Sequence, residues 1–543
     1  VSLGTSAVAA TAGTSTGERG TSPLAPGGGA LRVLVVAAGI VAAWGATRWA
    51  FGLPVLWLGA AVGWLALPLG QRRGLSASWL VPLGLVLVVG LGVALDLELA
   101  VRHTTNLLLA VLLFGLARLA ALGEGEVRWL AVGIAATAIL AFLQAAGGLS
   151  EALTGVEALP PGLQELAARR LSGGRAFGSS ALPGHFAALL VTTTPLLWRW
   201  AGESPGPPRL VPLSALAGVA LALYLTRSLA ALAVAALLLL LLLLRRGRRP
   251  AVGIGAAVLA ALLLAVVASR GDLGTLKPVQ LRLVNWRVTG WVALHHPWVG
   301  VGLGGVGQGG LLSPWAAGNI TPYAHNTPLQ LVAETGLAGV PLLVLGVGAL
   351  LRLLHRGAAR DGALAAAVAV VPLHNLVDFS LYAPEVLLPW AILAGTLAAR
   401  AAPLPARSLP SGVLVPLLVA GSIVAALEWQ AETAFQRALA APGTGVASAA
   451  VAAAVWAPWQ VRPLYAAVEL ALSPPTSAVE QQRVEEALGR RHWVQPRSAG
   501  WAEARARLLL AQGRRGEALV WAREARRRAP ARGELAALEE LCR

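Results

Sequence analysis

Several short stretches of the chain carry residues able to handle a charged leaving group and a proton. Arg282-Leu-Val-Asn-Trp286 sets an arginine and a tryptophan one helical turn apart, on one face. His295-His296-Pro297-Trp298 follows, then Gly300, Gly302 and Gly304, and Tyr323-Ala-His325-Asn326 closes the segment. A guanidinium fork binds phosphate or carboxylate oxygens bidentately and stays charged, so Arg282 suits an anionic ligand. It suits equally an interfacial anchor snorkelling to water. Arg227, in Thr226-Arg227-Ser228, offers a second fork or a plain helix C-cap. His325 is a candidate base for an attacking hydroxyl, or a hydrogen-bonded neighbour of a helix N-cap. His295 and His296 resemble a metal pair, but neighbours on a helix do not converge and no third ligand is in view. No metal or other cofactor is expected. His374 and Asp378 are one turn apart and are expected to pair locally; Glu334, Asp96 and Glu98 are expected to be solvated or paired at an interface.

The elements that must position these groups are apolar. The chain has 543 residues, 56% hydrophobic and 13% charged, with a mean hydropathy of +0.68. Soluble domains carry about 25% charged residues, so an ordinary soluble globule is excluded. One cysteine, Cys542, excludes a disulfide scaffold. The net charge of +17 would suggest nucleic acid in a soluble protein, but the arginines sit at the ends of apolar runs, where they set topology. No nucleic-acid partner is expected.

A span needs about 20 apolar residues. Thirteen runs qualify, near 31–51, 52–70, 78–97, 104–122, 128–147, 183–201, 209–226, 228–244, 250–269, 327–353, 362–380, 384–402 and 411–428. Arginines follow the even-numbered runs, densest at Arg245, Arg246, Arg248 and Arg249, which predicts an inside N-terminus and an outside C-terminus. The expected fold is an all-α, polytopic membrane bundle of about 13 spans over residues 31–428, after a flexible cytoplasmic tail, 1–30. Long outer loops, 148–182 and 270–326, are where chemistry is expected. Leu283, Trp286, Gly290, Trp291 and Leu294 recur at helical spacing, predicting an amphipathic surface helix over 282–295 that Pro297 ends.

After Trp429 the composition turns to Ala, Leu, Glu and Arg punctuated by prolines. Pro496 and Pro530 are 34 residues apart, the tetratricopeptide period, so 429–543 is expected to be an outer helical-repeat domain offering a groove to a protein partner, or an irregular bundle over the mouth of the site.

Taken together, Arg282 with Trp286, His296-Pro297-Trp298 with Gly300, Gly302 and Gly304, and His325-Asn326 with Glu334 and Gly336 resemble the O-antigen ligase and polymerase superfamily. Phe177-Gly178, Pro183-Gly-His185, Thr226-Arg227-Ser228 and His374-Asn-Leu-Val-Asp378 agree with it, and the likeness covers roughly residues 30–430. The resemblance implies a metal-independent membrane glycosyltransferase in the bacterial inner membrane, with its active site on the periplasmic side. It implies an undecaprenyl-diphosphate-linked glycan as donor, and a lipid A core or other surface acceptor, in lipopolysaccharide or surface-polysaccharide assembly. His325, Arg282 and Arg227 become the expected catalytic residues, and Arg175, His185, Trp286, Asn326, Gly302 and Gly304 the expected substrate contacts. A repeat-unit polymerase, a protein O-oligosaccharyltransferase, and a carrier-lipid flippase or transporter are the alternatives.

Overall fold

The computed structural model describes residues 28–46, 52–67, 77–158, 164, 168, 171–245, 277–316, 321–401, 411–440, 445–473 and 476–543. Among these, the membrane part contains helices α1 (Gly28–Ala43), α2 (Gly52–Leu65), α3 (Ala77–Gly92), α4 (Leu97–Ala120), α5 (Glu124–Ala135), α6 (Ala138–Leu143), α7 (Leu149–Thr154), α8 (Pro183–Glu203), α9 (Leu210–Thr226), α10 (Leu229–Arg245), α11 (Lys277–His295), α12 (Val306–Gly309), α13 (Thr327–Arg360), α14 (Gly362–His374), α15 (Pro384–Ala401) and α16 (Ser411–Ala440). The C-terminal part adds α17 (Val446–Ala453), α18 (Arg462–Ala471), α19 (Ala478–Arg490), α20 (Ala499–Ala511), α21 (Arg515–Arg528) and α22 (Glu534–Cys542). The described residues contain no strand.

Twelve of the thirteen apolar runs carry helices; the run at 250–269, like the tail before Gly28, lies outside the described residues. Leu97–Ala120, Glu124–Thr154, Pro207–Thr226 and Thr327–Arg360 are long and apolar enough to cross a membrane, and five shorter apolar helices accompany them. Leu113, Leu116, Leu190, Val368 and Ile392 are fully buried in the core between α4, α8, α14 and α15.

The two ends of the bundle differ. At one end the C-termini of α8 and α15 meet the start of α5 and the α13–α14 turn in an ion network. There Arg199 pairs with Asp361 at 2.8 Å and with Glu203 at 2.9 Å, and Arg400 pairs with Glu124 at 2.8 Å. Asp361 also pairs with Arg400 and caps α14 through the Leu364 N–H at 2.9 Å. At the other end lie the starts of α4, α8, α13 and α15 and the α9–α10 turn. Every candidate site residue belongs to that second end.

The Gly-rich loop builds this end by filling a break in α13. Gly336 has φ +59° and ψ −160°, and the helix steps sideways there. The amide groups of Val301 and Gly302 donate to the carbonyls of Ala333 and Glu334 at 3.2 and 2.9 Å, while those of Leu337 and Ala338 donate to the Pro297 and Trp298 carbonyls at 2.7 and 3.0 Å. Backbone groups freed by the break are thus paired, as a non-aqueous setting demands. A Cβ on Gly336 would lie 2.6 Å from the Trp298 carbonyl carbon. Gly336→Ala should therefore cost at least about 1–3 kcal/mol from backbone strain alone, seen as a lowered thermal midpoint in detergent.

The C-terminal helices pack in succession around Trp501, Val484, Leu488 and Leu508. They dock on the site end: the Gln495 amide donates to Asp96 at 2.7 Å, Glu98 accepts the Val461 N–H at 2.8 Å, and Leu311 sits among Ala499, Ala502, Ala525 and Leu535. Asp96 and Glu98, expected to be solvated or paired at the membrane interface, are instead buried and bonded to the C-terminal helices. Glu334 differs from expectation: it is fully buried and accepts from Gly304 N–H, the Gln330 amide and the Tyr382 hydroxyl.

Candidate functional site

Asp378 is the centre of the site, a place sequence reasoning did not give it. α14 ends at His374, so Asp378 lies beyond the helix, in the loop leading to α15. Four side chains from four segments surround its carboxylate: His325 Nδ1 at 3.5 Å, His185 Nε2 at 3.7 Å, His374 Nε2 at 3.7 Å and an Arg282 nitrogen at 3.8 Å. The local pairing expected with His374 is one contact among these. Burial pushes the Asp378 carboxyl up, but His185, His325 and His374 around it more than offset this and hold it well below the usual carboxylate range. The Phe379 N–H donates to Oδ1 at 2.8 Å and fixes the carboxylate's orientation.

Each partner is placed by an identifiable local cause. Asn326 caps α13, its Oδ1 accepting the Leu329 N–H at 2.9 Å and its Nδ2 donating to the Leu376 carbonyl at 3.0 Å. Thr327 bonds Asn375 through both backbone and hydroxyl, at 2.9 and 2.7 Å, locking the start of α13 to the end of α14. His325 is thereby brought beside Asp378. The Trp286 indole donates to the His325 carbonyl at 3.3 Å, which explains the spacing in Arg282-x3-Trp286: one residue holds His325 while the other reaches Asp378. Phe379 stands between two imidazoles, edge-on to His185 at 4.6 Å and to His325 at 4.7 Å, and stacks on Tyr323 at 4.1 Å.

Backbone strain marks the same residues. Among the described non-glycine residues only Ala121, Arg227 and His325 have positive φ. Arg227, at φ +49° and ψ 38°, ends α9, and His325 has φ +54°. Left-handed backbone costs a side-chain-bearing residue about 1 kcal/mol or more, and such strain concentrates at functional sites. The Arg227 turn abuts the cluster: a Cβ on Gly184 would lie 2.8 Å from an Asp378 oxygen and 3.9 Å from the Ser228 hydroxyl.

The remaining expected site residues fall into two groups. His185 is only 3% exposed and faces Asp378 from the first turn of α8. Arg175 donates to the Thr226 carbonyl at 2.9 Å and to the Arg227 carbonyl at 3.5 Å, so it holds the turn that carries Arg227. Gly302 and Gly304 make close approach to protein backbone and side chains: their Cβ positions would meet Ala94 Cα at 2.6 Å and Leu99 Cβ at 2.4 Å. On α11 the buried side chains are Asn285, Val288, Thr289 and Val292, while Leu283 and Leu294 face outward. A cleft beside the cluster is lined by Asn285, Thr289, Gly307, Thr321 and Tyr323. Among the described residues no three His, Cys, Asp or Glu side chains are arranged to hold a metal ion.

A buried carboxylate flanked by imidazoles and a guanidinium, at one end of an apolar helical bundle, defines a membrane protein with proton-handling groups gathered at that end. Residues 212–344 match the O-antigen ligase family model. The match spans α9 through the upper half of α13 and includes Arg227, Arg282, Trp286, His325 and Asn326. No curated protein and no solved structure matches the chain. That match supports, at a coarse level, an O-antigen ligase-like membrane glycosyltransferase.

Proposed function

We propose that the protein transfers a glycan from an undecaprenyl-diphosphate carrier to an acceptor hydroxyl at the periplasmic face of the inner membrane, as an O-antigen ligase. The observation that carries this reading is the gathering of Arg282 and the strained His325 on Asp378, beside the Arg227 turn. The ionised Asp378 favours a proton on His325 Nδ1, leaving Nε2 free to take the acceptor's proton. The acceptor oxygen then attacks the anomeric carbon as the carbon–oxygen bond to the diphosphate breaks. The leaving diphosphate keeps the bonding electrons, and the Arg227 and Arg282 forks stabilise its charge. Single displacement of this kind inverts the anomeric centre. The ion network at the opposite end, with Arg199, Arg400 and the neighbouring Arg128, supports an orientation with that end cytoplasmic. A partner protein on the C-terminal helices belongs to the same proposal.

Purified protein given carrier-linked glycan and alternative acceptors tests the reading. A ligase raises product size in one jump; stepwise growth would make it a polymerase, and no transfer to any acceptor would remove the glycosyltransferase reading. Arg282→Lys keeps the charge but loses the fork, and is expected to slow transfer about 10²-fold at saturating acceptor. Undiminished transfer would confine Arg282 to its ion pair with Asp378.

A further inference from the structure

The C-terminal domain exposes an aromatic and basic patch where it meets the membrane helices. Val455 and Trp456 in the α17–α18 turn are 66% and 51% exposed, and Trp493, just after α19, is 53% exposed. The Arg491 guanidinium donates to the Ala454 carbonyl at 2.6 Å, so the two turns form one surface. Arg490 and Arg497 flank Trp493 and are exposed; among the described residues, the ion pair of Arg490 is a 4.0 Å contact with Glu486.

The height of this patch is set by hydrogen bonds. Five residues beyond Trp456, the Val461 N–H bonds Glu98 in the first turn of α4, and the Trp459 indole bonds Glu428 of α16 at 3.1 Å. Both acceptors sit on long helices of the bundle, at its site end. Trp298, Trp315 and Trp429, from the outer loop and α16, are also exposed at this end. Tryptophans collect at the depth of lipid head groups, and arginines beside them pair with lipid phosphates.

We propose that this patch seats the C-terminal domain on the membrane: Val455, Trp456 and Trp493 enter the head-group region, and Arg490 and Arg497 bind phosphates of anionic lipids. The domain then lies against the leaflet, and its contacts to Asp96, Glu98 and Leu311 hold the site loop at fixed depth. This inference is independent of the transfer chemistry.

The test uses the full chain with Cys542→Ser, carrying Trp456→Cys, Trp493→Cys or, as control, Val479→Cys at the other end of α19, roughly 16 Å away. Each cysteine is nitroxide-labelled in vesicles of phosphatidylcholine with or without phosphatidylglycerol. Labels at 456 and 493 are expected to collide more with oxygen than with a water-soluble nickel chelate, and 479 the reverse. Phosphatidylglycerol should deepen the first two, and Arg490→Gln with Arg497→Gln should abolish that deepening. At about a factor of five per arginine, the double variant loses about 25-fold in the ratio of seated to lifted domain. Water-like collision rates at 456 and 493 would overturn the proposal. So would shielding from both reagents, which would indicate a protein or a second copy on the patch, or indifference to phosphatidylglycerol.

Discussion

Asp378→Asn will lower glycan transfer by about 10²- to 10⁴-fold while leaving the helical bundle folded. Asparagine keeps the size and can still accept the Phe379 N–H, but it removes the charge that His325, His185, His374 and Arg282 share. Without it, nothing fixes which His325 nitrogen carries the proton, and Arg282 loses its anchor. The pH dependence of stability provides a second reading. The Asp378 carboxyl is held below its ordinary value of 3.8, so the ionised form stabilises the fold. That contribution is complete above the ordinary value and disappears as pH falls through the lower folded value. Wild type should therefore unfold at higher temperature than Asp378→Asn near neutral pH, with the gap closing in strong acid. Equal transfer rates in the two proteins would take Asp378 out of the chemistry.

His325→Gly should cut transfer steeply and yet be more stable than His325→Ala by about 1 kcal/mol. Both substitutions remove the imidazole, so transfer should fall equally, by about 10²- to 10⁴-fold. Only glycine relieves the φ of +54°, and the Trp286 hydrogen bond to the 325 carbonyl survives in both. Thermal unfolding in detergent beside a transfer assay separates the effects. If alanine proves as stable as glycine, the backbone at 325 stores no strain. If glycine retains transfer, the base lies elsewhere.

The helical architecture was legible because the physics that writes it is local. Apolar runs of membrane length became helices, and the polar triplet Thr226-Arg227-Ser228 marked the turn between α9 and α10. The spacing of Arg282 and Trp286 was legible too, since one helical turn fixes their common face. Asp378 was not. Its importance comes from four residues meeting it from positions 185, 282, 325 and 374, and only the last is near in sequence. A carboxylate four residues after a histidine reads as a local pair until the other segments arrive. Gly302 and Gly304 show a second limit, because a glycine pattern announces that something comes close without saying what. Here the close neighbours are Ala94 and Leu99.

The seam between the Gly-rich loop and the break in α13 also constrains biogenesis. Beyond Ala338 the helix can enter the bilayer as it emerges, whereas the Leu337 and Ala338 amides depend on the loop for their partners. The carbonyls of Ala333 and Glu334 before the break, and the amides of Leu337 and Ala338 after it, complete their pairing only when residues 297–302 fold back onto them. Completion of the site end therefore waits until both segments, 297–302 and 333–338, are in place.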